Sequence, residues 1–139
     1  MKSTMGVGRG KLLQLTLKNV GLVLHTALRR LTSLPRETLV YCGHEYTRSN
    51  FRYAASISPS TPAILARQAW AESLLSFSRH TVPSTIGDEM ETNVFVKAAL
   101  SDDEGADRCE EMRRNVKVGG GASAVELLGA VRVCKNNFK

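Results

Sequence analysis

Apolar residues in the first quarter of the chain recur at three- and four-residue steps: Leu13, Leu17, Val20, Leu24, Leu28 and Leu31. That period puts them on one stripe and predicts a helix over residues 11–31. Leu34-Pro35 ends it, because proline disfavours helical geometry in the residue before it. The pattern then changes. Thr38, Leu39, Val40, Tyr41 and Cys42 form a short, apolar, β-prone run, which predicts a buried strand over 38–42. This strand leads into Gly43-His44-Glu45-Tyr46-Thr47. A strand that ends on polar residues can hold them still while the following loop exposes them.

Beyond this point the pattern predicts helices only. Thr47 opens one that reaches about Ile57 and stops at Ser58-Pro59. Thr61-Pro62 opens the next, since threonine accepts free helix N–H groups and proline suits the first helical position. Ala63, Ala66, Trp70, Leu74 and Phe77 share one face of it, which makes Trp70 a core anchor. Residues 78–95 read as a long loop, functional or wrapped over the core. The stretch 101–111 is acidic, and Ser101-Asp102-Asp103-Glu104 has the form of a capping box at a solvated helix start. Gly119-Gly120-Gly121 reads as a hinge. Ser123-Ala124-Val125-Glu126 is a second capping box, opening a last helix that buries Val125, Leu128 and Val131. No internal repeat is visible. The fold class is α+β, a short α/β stretch followed by a small all-helical domain.

Composition narrows the class. A chain of 139 residues suits one domain, and 42% hydrophobic with 23% charged residues is ordinary for a soluble globular protein. No apolar run approaches the roughly 18 residues that span a bilayer. The cysteines Cys42, Cys109 and Cys134 are few and widely spaced, which argues against a disulfide scaffold and for a reducing compartment, the cytoplasm. The net charge of +6 is local. Lys2, Arg9, Lys11, Lys18, Arg29, Arg30 and Arg36 all precede the first acid, Glu37, and the remainder is close to neutral. This basic segment contains no aromatic residue, so nucleic acid is not an expected partner. A basic, amphipathic, acid-free start has the composition of a mitochondrial presequence, which makes the mitochondrion the alternative location; a packing helix is the simpler reading. Gly6, Gly8 and Gly10 suggest a flexible start, and with no strand before them and no GK[ST] after them they do not make a phosphate loop.

Two groups carry candidate chemistry. His44, beside Glu45 and Tyr46, stands where an imidazole can bind a metal or move a proton; a satisfied structural histidine is the plainer reading. Cys42-x-His44 places two donors on one strand face, which does not close a zinc site. Arg132 and Lys135, at i and i+3 of the last helix, point to one side and suit a carboxylate or phosphate. They equally complement the dipole of a helix C-terminus.

Glu37-Thr38-Leu39-Val40-Tyr41-Cys42-Gly43-His44-Glu45-Tyr46-Thr47, with Ser49-Asn50-Phe51 and Ala54 after it, resembles the glyoxalase II family, the hydroxyacylglutathione hydrolases. The similarity continues through Pro62-Ala63-Ile64, Ala69-Trp70-Ala71, Thr81-Val82-Pro83-Ser84-Thr85, Glu89, Asn93 and Phe95, and closes with Ala130-Val131-Arg132, Lys135 and Phe138-Lys139. Val94 stands where the family has proline. The resemblance implies the end of a metallo-β-lactamase αββα domain joined to a C-terminal helical domain. It implies hydrolysis of S-D-lactoylglutathione to D-lactate and glutathione at a centre of two divalent metals, zinc with iron or manganese as alternatives.

Carried over by position, His44 is the last histidine ligand, Tyr46 a glutathione contact, and Arg132 with Lys135 the pair that holds the glutathione glycine carboxylate. Gly6-Val7-Gly8-Arg9 is similar to the family's G-C-G-[KR] loop, which makes Arg9 a further contact. The family's T-H-x-H-x-D-H motif, middle histidine and bridging aspartate have no counterpart in this sequence, and one histidine cannot hold two metals. The resulting domain expectation is a divergent basic helix over 1–33, targeting or misassigned; the metallo-β-lactamase remnant over 34–46; and a glutathione-binding helical domain over 47–139. The functional expectation is binding of a glutathione thioester or glutathione without hydrolysis. The alternative is a non-catalytic interaction module, self-associating through an exposed Leu39 and the apolar face of the first helix.

Overall fold

The computed structural model describes residues 8–41 and 47–138, with side chains in the first helix from Asn19 onward. In chain order the elements are α1 (Gly8–Thr32), β1 (Leu39–Val40), α2 (Thr47–Ile57), α3 (Pro62–Ser76), β2 (Ser84–Thr85), α4 (Ile86–Thr92), α5 (Val94–Ala99), α6 (Glu110–Asn115) and α7 (Ala124–Asn136). Helices dominate, and β1 pairs antiparallel with β2, Leu39 opposite Thr85 and Val40 opposite Ser84.

The amphipathic first segment is a helix, as its period requires, and it packs along α7. It begins at Gly8 rather than after Gly10, since continuing a helix through two glycines costs only about 1 kcal/mol each. Leu24 and Leu28 face the core. At Gly21 the two helix backbones approach so closely that a Cβ would collide with the Val125 carbonyl. The core beneath them contains Tyr53 and Ile57 of α2, Ile64 of α3, Val94 of α5, Met112 of α6, and Leu127, Leu128 and Val131 of α7.

Several expectations are corrected. The part of the chain after residue 47 is not purely helical, and 78–95 is not a long loop. Ser84–Thr85 forms β2, and two short helices follow because each has its own cap. The Thr85 hydroxyl accepts from Asp88 N at 3.1 Å, and the Asn93 side chain accepts from Phe95 N at 2.9 Å. The strand is not buried: Leu39 is 56% exposed and Tyr41 71%. In α3 the buried residues are Ile64 and Ala71, whereas Phe77 is 76% exposed. Trp70 is half-buried and lies under the Arg67 guanidinium, 3.7 Å from ring centroid to carbon. Apolar residues surround almost the whole of α3, so its period does not define one face. The Thr61 hydroxyl pairs with Ser58 at 2.6 Å and does not cap α3.

No helix starts at Ser101. Ser101 is fully buried, Asp102 accepts from Ala124 N at 2.8 Å at the start of α7, and Asp103 pairs with Arg29 at 2.6 Å. Gly119–Ala122 closes as a turn, Ala122 N donating to Gly119 O at 3.1 Å, and Arg113 Nη1 donates to Ala122 O at 2.6 Å and to Gly119 O at 3.4 Å. The last capping signal holds: Ser123 Oγ accepts from Glu126 N at 3.2 Å. Leu128 and Val131 are buried behind it, joined by Leu127, while Val125 is half-buried beside α1.

Candidate functional site

The last turn of α7 brings Lys135 to the start of α2. Its Nζ donates to Ser49 Oγ at 3.1 Å and stands 5.7 Å from the Tyr53 ring centroid and 5.9 Å from that of Phe138. Cation–π attraction and the apolar stem fix a side chain that would otherwise be mobile. An ammonium has three donors, and Ser49 takes one. Arg132, one turn earlier on the same helix, is exposed. The structure therefore keeps the pair on one helix, with Lys135 anchored over aromatic rings and Arg132 in solvent.

Tyr53 is the residue that sequence reasoning missed. It is 1% exposed, and its hydroxyl donates to Val131 O at 2.6 Å, bonding α2 to α7. Burial, with a smaller contribution from Cys134, raises its phenol above the ordinary range, so it stays neutral and fixed. Its position four residues after Ser49 in a predicted helix was the available signal, since residues at that spacing share a face.

The Tyr53 ring also stacks on Phe95, 6.3 Å between centroids and 30° between planes. Phe95 forms one wall of a cavity of about 130 Å³ between α2 and the α4–α5 pair. Phe51, Ala54 and Val94 supply the other apolar walls, and Thr47, Asn50 and Thr92 line the rest with polar groups. Glu89 reaches the cavity already committed: it accepts from Ser84 Oγ at 2.6 Å and from Asn93 Nδ2 at 2.8 Å. This carboxylate holds β2, α4 and α5 together.

The remaining candidates are placed less fully. His44, Tyr46 and Cys42 lie outside the described residues, as does the side chain of Arg9. Among the described residues no three His, Cys, Asp or Glu side chains converge to hold a metal ion, so these residues do not by themselves fit a two-metal centre. Cys109 is buried, with its thiol near Lys97 O and Asp107 O; burial, and then the Asp107 charge, push it up to about 11. Burial also raises Cys134. Neither is a ready thiolate nucleophile. Among the described residues no helix is long and apolar enough to cross a membrane.

The family model for the hydroxyacylglutathione hydrolase C-terminus matches residues 45–138. A hydroxyacylglutathione hydrolase of Chelativorans sp. strain BNC1 is 37% identical over 118 residues, covering 84% of this chain and 42% of the relative. One from Rhodospirillum rubrum is 38% identical over 112 residues, covering 81% and 40%. One from Aeromonas hydrophila is 43% identical over 74 residues, covering 53% and 29%. The chain thus spans about 40% of the length of the first relatives it matches.

Proposed function

Since the chain belongs to the hydroxyacylglutathione hydrolase family, matching its C-terminal region, we propose that it holds the glutathione end of a glutathione thioester. The observation that carries this reading is the seating of Lys135. A cation fixed at the α2–α7 junction by Ser49, Tyr53 and Phe138, with Arg132 one turn away, presents two positive groups from one rigid helix. A terminal carboxylate is the anion such a pair suits, and charge-assisted hydrogen bonds to it are about twice as strong as neutral ones. Tyr46 and Arg9 complete the glutathione contacts in this proposal.

The substrate class is S-D-lactoylglutathione, and the family reaction releases D-lactate and glutathione. In this reading residues 34–46 are the end of a metallo-β-lactamase domain and His44 is one ligand of its two divalent metals, zinc with iron or manganese as alternatives. Residues 47–139 are the glutathione-binding domain, and 1–33 a divergent basic amphipathic helix. One histidine does not make a two-metal centre, so the 139-residue chain binds the thioester without hydrolysing it. The cytoplasm is the proposed location, with the mitochondrion as alternative.

Isothermal titration of the chain with S-D-lactoylglutathione tests the grip. Binding that disappears in the double variant Arg132→Ala, Lys135→Ala is the expected result, and unchanged binding overturns the assignment. Metal-dependent release of D-lactate by the purified chain would overturn the proposed inactivity and leave the grip standing. The exposure of Leu22, Val23, Leu31 and Leu39 supports a second reading, an interaction module. Its partner would bind the double variant as well as the original chain.

A further inference from the structure

We propose that Ser49 is a third contact for the glycine carboxylate of the glutathione ligand, its hydroxyl donating to the same oxygen that the Lys135 ammonium holds. This inference rests on the assignment of Lys135 and Arg132 to that carboxylate. It adds a neutral donor from α2 to a site otherwise built from α7 alone.

Its own support is the hydrogen-bond accounting at the α2–α7 junction. Ser49 is exposed in the first turn of α2, and its Oγ accepts from Lys135 Nζ at 3.1 Å. A hydroxyl that accepts through a lone pair still has its own proton to donate. Among the described residues nothing takes that proton. The ammonium keeps two N–H groups beyond the one given to Ser49. No carboxylate among the described residues pairs with Lys135 or Arg132. Three neighbouring side chains therefore offer donors, and the acceptor that would satisfy them has to come from a ligand or from water.

The spacing suits one carboxylate. With Nζ and Oγ 3.1 Å apart, an oxygen about 2.7–3.0 Å from each completes a near-equilateral triangle and accepts from both. The second oxygen is left for Arg132, whose Cβ stands about 5–6 Å from that of Lys135 at the i, i+3 spacing. An ionised carboxylate is acceptor-only, with about four lone-pair sites, and it shortens and strengthens the bonds it accepts. The two helices are also held in register. Tyr53, one turn after Ser49, donates its hydroxyl to Val131 O at 2.6 Å, one turn before Lys135. The first turn of α2 has no acidic residue to repel the anion.

The test is isothermal titration of the full chain with glutathione and with its glycyl ethyl ester, which has no carboxylate at that end. Ser49→Ala should weaken glutathione binding about five- to tenfold, the return for one hydrogen bond to a charged acceptor at an exposed site. Its thermal midpoint should stay within about 2 °C of the original, as for a surface substitution. Ser49→Thr, which keeps the hydroxyl, should hold glutathione affinity within about twofold. The ester should bind the original chain and Ser49→Ala alike. Unchanged glutathione affinity in Ser49→Ala, with binding still lost in Arg132→Ala, Lys135→Ala, would overturn the third contact and leave the grip intact. A loss that Ser49→Thr does not recover, or that the ester shares, would make Ser49 a residue of the fold alone and overturn the proposal. Glutathione that fails to bind the original chain would overturn grip and third contact together.

Discussion

Arg113 is 1% exposed, and its guanidinium is held by oxygen atoms that bear no full charge: Arg108 O at 2.7 Å, Ala122 O at 2.6 Å, Gly119 O at 3.4 Å and Ser101 Oγ at 3.4 Å. Carbonyl dipoles converging on one cation replace its lost hydration. Arg113→Met should lower the unfolding free energy by about 2–4 kcal/mol, since it leaves buried carbonyls unsatisfied; urea denaturation measures this. Arg113→Lys should recover little, because an ammonium cannot reproduce the planar fork. Cys109 makes a second prediction at this scale. Its folded value of about 11 lies above the ordinary 9, so the folded state holds the proton more tightly than the unfolded chain. The stability this gives is fully present below about pH 9 and is lost as pH rises towards 11. Between pH 8 and 10.5 the chain should lose stability, and Cys109→Ala should lose less over the same interval. Neither residue was legible in the sequence. A basic residue in an acidic-to-basic stretch looks solvated, and a lone cysteine, a residue type often buried, does not show what will surround it until the loops are folded over it.

At the scale of elements, capping signals were read unevenly, since the Thr61 hydroxyl turns to Ser58 and no helix starts at Ser101. Ser123 caps α7 as its spacing requires, and the helix over 47–57 has the bounds its flanking residues set. Asn93 was quoted only for its resemblance, yet it caps α5 through Phe95 N and Val96 N and donates to Glu89. Asn93→Ala should cost about 1–2 kcal/mol, with the cap loss setting the lower bound, and should increase hydrogen exchange in α4 and α5. Gly21 has a different role. Its missing side chain permits the α1–α7 approach, so Gly21→Val should separate the helices and destabilise by about 1–3 kcal/mol or more. Loss of hydrogen-exchange protection along 19–32 would locate the damage, and full protection would show that α1 does not depend on this contact. The faces of α3 were misread for a physical reason: a helix with apolar residues nearly all round carries no periodic signal, and its neighbours choose the buried side.

For the whole molecule, the positive charge is concentrated in α1 and its flanks, while Arg29 and Arg36 are neutralised by Asp103 and Glu91 across the fold. Arg132 and Lys135, on α7, are two further cations of the fold. If the exposed Arg132 contributes to the grip, affinity for S-D-lactoylglutathione should fall several-fold between 50 and 500 mM salt, as the screening length contracts from about 14 to 4 Å. Affinity independent of salt would place the carboxylate elsewhere. The exposed apolar residues of α1 and β1 are the other property of the whole chain, and they appear only when the packed and unpacked faces of α1 are separated.

The existence of α1, α2, α3 and α7, the cap of α7, the family and the spacing of Arg132 and Lys135 were determined by the sequence alone. Each depends on residues within a few positions of one another or on a linear order of motifs, which folding does not alter. The seating of Lys135 over Tyr53 and Phe138, the β1–β2 pairing, the burial of Arg113 and the cavity beside Phe95 were decided by the tertiary structure. Each joins residues tens of positions apart. Local pattern records which side chains can meet, whereas packing of α1, α2 and α7 around one core selects which of them do.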